Sequence, residues 1–333
     1  LRTAGLFCLL LACLFLGLAS AALAQGAAPP VENVTVTGQK VSPDRTLHDF
    51  IVSYTAPSPA SGRVARWHGG ICPGVVGLPA AWNGSVEARV REVATLAGSP
   101  VLAKPCRANI DIVFTRNPQA LLDSVRDTKP FLLGYHDAAR EKELATVRHA
   151  VQAWYMTQTV DMQGGIFVDD KLRQQPGVTL TSGNNQINFS EAHVEHWNGS
   201  HLGDGRRSEL IHVLVVADLK KVSGIKLTAV ADDIALLSLA QTAAFEACQP
   251  IASIANLTAP GCDAALKADT LSGGDLAYLR ALYSIDPHDS LIQQQGELAF
   301  EMKKILGASS GNSAPIPPPT TSACGAAPNA PCR

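Results

Sequence analysis

Leu210-Ile211-His212-Val213-Leu214-Val215-Val216 is the stretch on which the fold turns. Six of its seven residues are apolar, four of them β-branched, and there is no polar residue at every second place. A short run of this kind has both faces covered, as a central strand of a sheet does. Downstream the pattern becomes helical. Asp233 to Ala247 is apolar on most sides, which predicts a buried helix with Asp232 as its N-cap. Ser272 followed by Asp275 forms a capping box for a helix ending near Tyr283. Leu291, Leu298, Met302 and Ile305 make the apolar stripe of a last helix, stopped by Gly307.

Upstream, strand and helix signals alternate. Thr179 to Val194 is polar and rich in Asn and Gln, an exposed strand or hairpin, and Ile166-Phe167-Val168 is a short strand. Leu144, Val147, Val151 and Trp154 stand at 3-4-3 spacing, which predicts a helix. Asn117-Pro118 has the form of an N-cap with proline at the first helical position. Ile110, Ile112 and Phe114 alternate as in a strand. Asn83-Gly84-Ser85 is placed to cap a helix whose Val86, Val90, Val93 and Ala97 share one face, closed by Gly98. The fold class expected is α/β (α+β): a mixed sheet with helices in the N-terminal part and a helical last third. The globular part is expected to be a single α/β domain over 31–306, with 218–232 as the place where it could divide.

The two ends read differently. Arg2, the apolar run Leu6 to Leu18 and Ala22-Leu23-Ala24 have the three-part form of a secretory signal peptide cut after Ala24. The run is too short for the roughly 20 residues that span a bilayer. Residues 25–30 are expected to be a flexible lead. The tail 307–333, with Pro317-Pro318-Pro319, has too little apolar surface to offset the entropy of ordering and is expected to be disordered. Removing residues 1–24 takes one basic residue, Arg2, from 27, leaving 26 against 29 acidic ones. That balance argues against a nucleic-acid binder, and no later segment reaches transmembrane length.

Export also decides how the cysteines are read. Eight become six: Cys72, Cys106, Cys248, Cys262, Cys324 and Cys332. An even number in an oxidising compartment points to disulfides. Six cysteines allow 15 connectivities. Order along the chain favours Cys72–Cys106, Cys248–Cys262 and Cys324–Cys332. There is no C-x-x-C for a thioredoxin-type or zinc-ribbon role.

Catalytic motifs are sparse. No histidine begins H-E-x-x-H, and His193-Val194-Glu195-His196 falls one residue short of the inverted form. His193, Glu195, His196, His201 and Asp204 are the densest constellation of imidazoles and carboxylates, the chemistry that holds zinc or another divalent metal. Strand alternation would send His193 and Glu195 to one face and His196 to the other. The glycine-rich surroundings read equally as a solvated hairpin tip. His212 lies within the apolar strand, where a histidine is most often a core residue with one hydrogen bond. Asp169-Asp170 and Asp232-Asp233 are sequence neighbours whose side chains diverge, so neither pair is by itself a general acid/base couple. Gly307-Ala308-Ser309-Ser310-Gly311 spells a nucleophile elbow but follows a helix, where the elbow needs a strand.

Val34-Thr35-Val36-Thr37-Gly38, Val64-Ala65-Arg66-Trp67 and Ile71-Cys72-Pro73-Gly74-Val75-Val76-Gly77 resemble the opening of a group of uncharacterised exported proteins of alphaproteobacteria. Ala231 to Gln241 (ADDIALLSLAQ) and Asp275 to Tyr283 (DLAYLRALY) resemble their later segments. The order of elements is also distantly similar to the zincin metallopeptidase layout, with 231–247 where the zinc helix would fall. That segment holds no histidine, so the resemblance implies a zincin-like scaffold without the usual zinc site and carries no activity with it. Three readings follow: a non-catalytic exported protein with a binding or envelope role and no cofactor; a metal-dependent hydrolase using the His193/His196/His201/Asp204 region; and a structural partner in an envelope complex, engaged through the tail.

Overall fold

A computed structural model describes residues 42–169, 178–182, 185–189 and 205–310. In chain order the described residues form α1 (Pro43–Tyr54), β1 (Pro73–Val76), α2 (Ala80–Ala97), β2 (Ile110–Thr115), α3 (Pro118–Thr128), the short α4 (Glu141–Leu144), β3 (Val151–Val160), β4 (Ile166–Val168), β5 (Val178–Ser182), β6 (Asn185–Phe189), β7 (Arg207–Asp218), α5 (Leu227–Leu239), α6 (Gly273–Ser284) and α7 (Leu291–Ser310). Five strands make one mixed sheet in the order β1-β2-β7-β3-β4. β1, β2 and β7 run parallel, while β3 is antiparallel to both β7 and β4. β5 and β6 form a separate antiparallel hairpin, within the polar stretch where a hairpin was expected.

β7 is the middle strand, and its alternation shows why it reads as continuously apolar. Val213, Val215 and Ala217 enter the larger core with α1, α2, α5, α6 and α7. Leu214 and Val216 enter a second core on the opposite face with Leu122 and Val125 of α3, Leu133 and Trp154. With both faces covered, neither set of positions is free to be polar. β2 obeys the period-2 rule: Ile110, Ile112 and Phe114 are buried and the residues between them half-buried.

Several local expectations hold. α2 buries Val86, Val90, Val93 and Ala97 and ends on Gly98 in the left-handed conformation (φ 85°). Asn117 occupies the N-cap position of α3 ahead of Pro118. Both reciprocal bonds of the Ser272/Asp275 box are made. In α7, Leu298 and Met302 are fully buried, with Leu291 and Ile305 packed against them.

Others are corrected. The helix expected through Leu144, Val147, Val151 and Trp154 is instead the end of α4, a loop and the start of β3. Val151–Val160 is a strand whose Trp154 indole donates to the Leu144 carbonyl at 2.7 Å. The loop folds back and sets Leu144 and Val147 against the core that holds Trp154, so helix-like spacing arises from a chain reversal. α2 begins at Ala80, and Asn83 lies inside its first turn, bridging the Leu78 N–H (3.2 Å) and C=O (2.9 Å). α5 starts six residues before Asp233 and stops at Leu239, so Asp232 is in mid-helix rather than at its cap. α7 continues through Gly307 to Ser310, because one glycine in a packed helix costs only about 1 kcal/mol relative to alanine.

Two disulfides close, Cys72–Cys106 and Cys248–Cys262, as chain order favoured. Cys324 and Cys332 lie outside the described residues, as do residues 1–24. No helix among the described residues is long and apolar enough to cross a membrane.

Gly77, just past β1, marks the closest approach of the β1 exit to β2. Its φ is 97°, and a Cβ there would sit 1.9 Å from the Phe114 carbonyl oxygen. Gly77→Ala is therefore expected to destabilise by about 1–3 kcal/mol through backbone strain. A urea midpoint equal to wild type would contradict the expectation.

Candidate functional site

β2 and β7 end side by side, with Thr115 opposite Asp218. Beyond their carboxyl ends lies a cleft of about 370 Å³ lined by Arg116, Asn117, Pro118, Gln119, Ala120, Val147, Asp218, Lys220 and Lys221. Crevices outside the carboxyl ends of parallel strands are where open α/β sheets commonly take ligands. The chain builds it from two tight exits and one fixed wall. Asn117 N–H is held by the Thr115 hydroxyl at 3.1 Å, which turns the chain into α3. Asp218 accepts the Lys220 N–H at 2.9 Å, which turns β7 outward. Gln119 fixes the third wall, donating to the Ala145 carbonyl (2.9 Å) and accepting the Val147 N–H (3.0 Å).

The electrostatics favour an anion. Three cations face one carboxylate, and that carboxylate already receives a backbone N–H. Lys221 donates to the Arg148 carbonyl at 2.7 Å. Arg116 and Lys220 are exposed and make no ion pair or side-chain hydrogen bond among the described residues. Asn117 gives α3 no side-chain cap, so the positive end of the helix dipole faces the same opening.

The residues singled out in the sequence are placed elsewhere. His193, Glu195, His196, His201, Asp204 and Asp170 lie outside the described residues. His212 makes one side-chain hydrogen bond, Nε2 to Asp111 Oδ2 at 3.2 Å, and its Nδ1 is buried without a partner. Asp169 is buried and accepts from the hydroxyls of Thr157 (2.6 Å), Thr159 (2.9 Å) and Ser58 (3.1 Å). Burial raises its pKa, and the three hydroxyls work against the rise. Asp232 binds Arg89 Nε at 2.5 Å and the Leu271 N–H at 2.8 Å. Burial opposes the Arg89 charge, but hydrogen bonds to Asp232 and Glu92 outweigh it and hold the guanidinium above its ordinary pKa.

Asp233, one residue on, has none of this. It is 5% exposed and makes no hydrogen bond or ion pair among the described residues. Burial first, then the nearby Asp275, Glu246 and Asp232, push its pKa up to about 8. Tyr54 and Tyr155 lie near it. The Tyr54 hydroxyl is buried without a partner, and that of Tyr155 faces the Thr242 backbone without a well-formed bond.

Sequence reasoning missed both places. Arg116, Lys220 and Lys221 belong to separate segments, and only adjacency of β2 and β7 gathers them. The doubled Asp232-Asp233 was a signal, but the division of labour within it depends on Arg89.

The molecule is thus a three-layer α+β protein with a mixed sheet, a basic cleft at its parallel carboxyl ends and a buried acid–tyrosine cluster. No protein-family model, curated protein or solved structure matches the chain.

Proposed function

We propose that the chain is an exported protein that acts by binding, and that the cleft beyond β2 and β7 takes a small anionic ligand. The observation that carries the reading is the cleft itself: Arg116 and Lys220, unpaired, beside Lys221 and the uncapped start of α3. The carboxylates Asp169, Asp232 and Asp275 support it, since their acceptor capacity is spent on hydroxyls, an arginine and backbone amides. Export rests on the signal-like start and is supported by the two disulfides. A zincin-like arrangement is part of the same proposal: β7 leads through a short turn into the histidine-free helix α5.

Calorimetric titration of the chain from Gln25 onward with pyrophosphate and with citrate tests the site. Wild type is expected to bind at least one of them, with affinity falling as salt is raised. The Arg116→Glu/Lys220→Glu variant is expected to bind at least about tenfold more weakly, since each 1.4 kcal/mol is a factor of ten. Equal binding by both proteins, or none by wild type, sinks the reading. Stoichiometric zinc in untagged protein, lost in His196→Ala/His201→Ala, would replace it with the metal-dependent hydrolase.

A further inference from the structure

We infer that the ligand of the basic cleft carries a flat aromatic ring beside its anionic group, and that Trp82 and Val76 at the exit of β1 hold that ring. The inference rests on the cleft reading above and names the class of ligand, an aromatic organic anion. It starts from where the helices leave the sheet. β1 and β2 are parallel neighbours, with Val76 opposite Val113. The chain leaving β1 enters α2, whose Val86, Val90 and Val93 pack in the larger core. The chain leaving β2 enters α3, whose Leu122 and Val125 pack in the second core on the other face. Adjacent parallel strands whose helices depart to opposite faces make a topological switch point, and open α/β sheets take ligands in the crevice there. β7 departs to the same face as β1, because α5 packs in the larger core. Arg116, the first residue past β2, therefore stands between two exits that turn the other way.

The exits of β1 and β2 touch and are stiffly built. Gly77 meets the end of β2 backbone to backbone, since a Cβ on it would fall 1.9 Å from the Phe114 carbonyl oxygen. Asn83 fixes the chain between β1 and α2 through both backbone groups of Leu78. Trp82 lies five residues past that contact and Arg116 two residues past it. On α2, Trp82 continues the core-facing stripe of Val86, Val90 and Val93 by one turn. Val86 is fully buried, but the stripe then outruns the sheet and leaves the indole 56% exposed. Val76, the last residue of β1, is 55% exposed. The Trp82 side chain makes no hydrogen bond or ring contact among the described residues.

Charge ties the ring to the cleft. α2 begins without a side-chain cap and without an acidic residue in its first turn, so the positive end of a second helix dipole lies at this edge of the sheet. Arg116 and Lys220 supply the cations. The edge thus offers positive groups around the end of β2 and an exposed aromatic face at the end of β1. Sites for organic ligands have this composition, an apolar or aromatic wall with a few polar groups that fix orientation. A small inorganic anion would use the cations and leave Trp82 and Val76 in water, whereas an aromatic anion covers both. A flat ring suits Trp82, because the indole face favours offset stacking.

The test is calorimetric titration of the chain from Gln25 onward with 1-naphthyl phosphate and with methyl phosphate, which share the anionic group and differ in the ring. Wild type is expected to bind the naphthyl ester at least about tenfold more tightly, the scale of one aromatic stacking contact. Trp82→Ala is expected to bring the ratio of the two affinities to within about twofold, while Trp82→Phe, which keeps a ring, retains most of it. Trp82 is exposed, so both variants are expected to fold as wild type does. Equal affinities for the two esters in wild type, or an unchanged ratio in Trp82→Ala, overturns the inference. If pyrophosphate still binds through Arg116 and Lys220 in that case, the cleft reading stands without the ring. Failure of every anion to bind sinks both.

Discussion

Arg89→Met is expected to destabilise the protein by about 3–5 kcal/mol, the range for breaking one side of a buried ion pair. Arg89 and Asp232 have side chains 7% and 2% exposed. Their attraction offsets the cost of removing both from water, and the Leu271 N–H takes the second Asp232 oxygen. Removal of the guanidinium alone strands the carboxylate between α2 and α5. Replacing both, Arg89→Met with Asp232→Asn, removes the charge along with its partner, leaves an amide oxygen to accept from the Leu271 N–H, and is expected to recover most of the loss. Denaturant titrations of the two variants decide the matter. A single-variant loss below about 1 kcal/mol would mean the pair is solvated in solution.

The second large effect is covalent. Cys72–Cys106 closes a loop spanning 34 positions, for which chain-entropy arguments give about 4 kcal/mol. Cys248–Cys262 spans 14, worth about 3 kcal/mol on the same scale. Single domains have only about 5–15 kcal/mol in total, so losing either bond is serious. Cys72→Ser/Cys106→Ser is expected to lower the urea midpoint by the larger amount, and a reductant should lower wild type further by acting on both bonds. Insensitivity of the midpoint to reductant would remove the support the disulfides lend to export.

Much of the fold was legible where a local rule and the tertiary context agree. β2 alternates because one face is fully buried; α2 ends at Gly98 because glycine adopts φ 85° without strain. The Ser272/Asp275 box closes on itself within four residues and needs nothing from elsewhere. Failures came where distant segments decide. Nothing near Val151 separates a helix stripe from a strand folded back on Leu144. Asp232 reads as a cap until Arg89, 143 positions away, makes a mid-helix carboxylate tolerable.

The site divides in the same way. Residue chemistry by itself determined the β-branched central strand, the alternating strand β2 and the histidine-free helix after β7; it favoured Cys72–Cys106 and Cys248–Cys262, and the fold settled that pairing. These depend on side-chain type and near neighbours, which the chain order already contains. The basic cleft and the unpaired Asp233 were decided by tertiary structure alone. A charge becomes a ligand site, or a burden, according to what the fold places against it, and here the deciding neighbours come from β2, β7, α1, α2 and α6 at once.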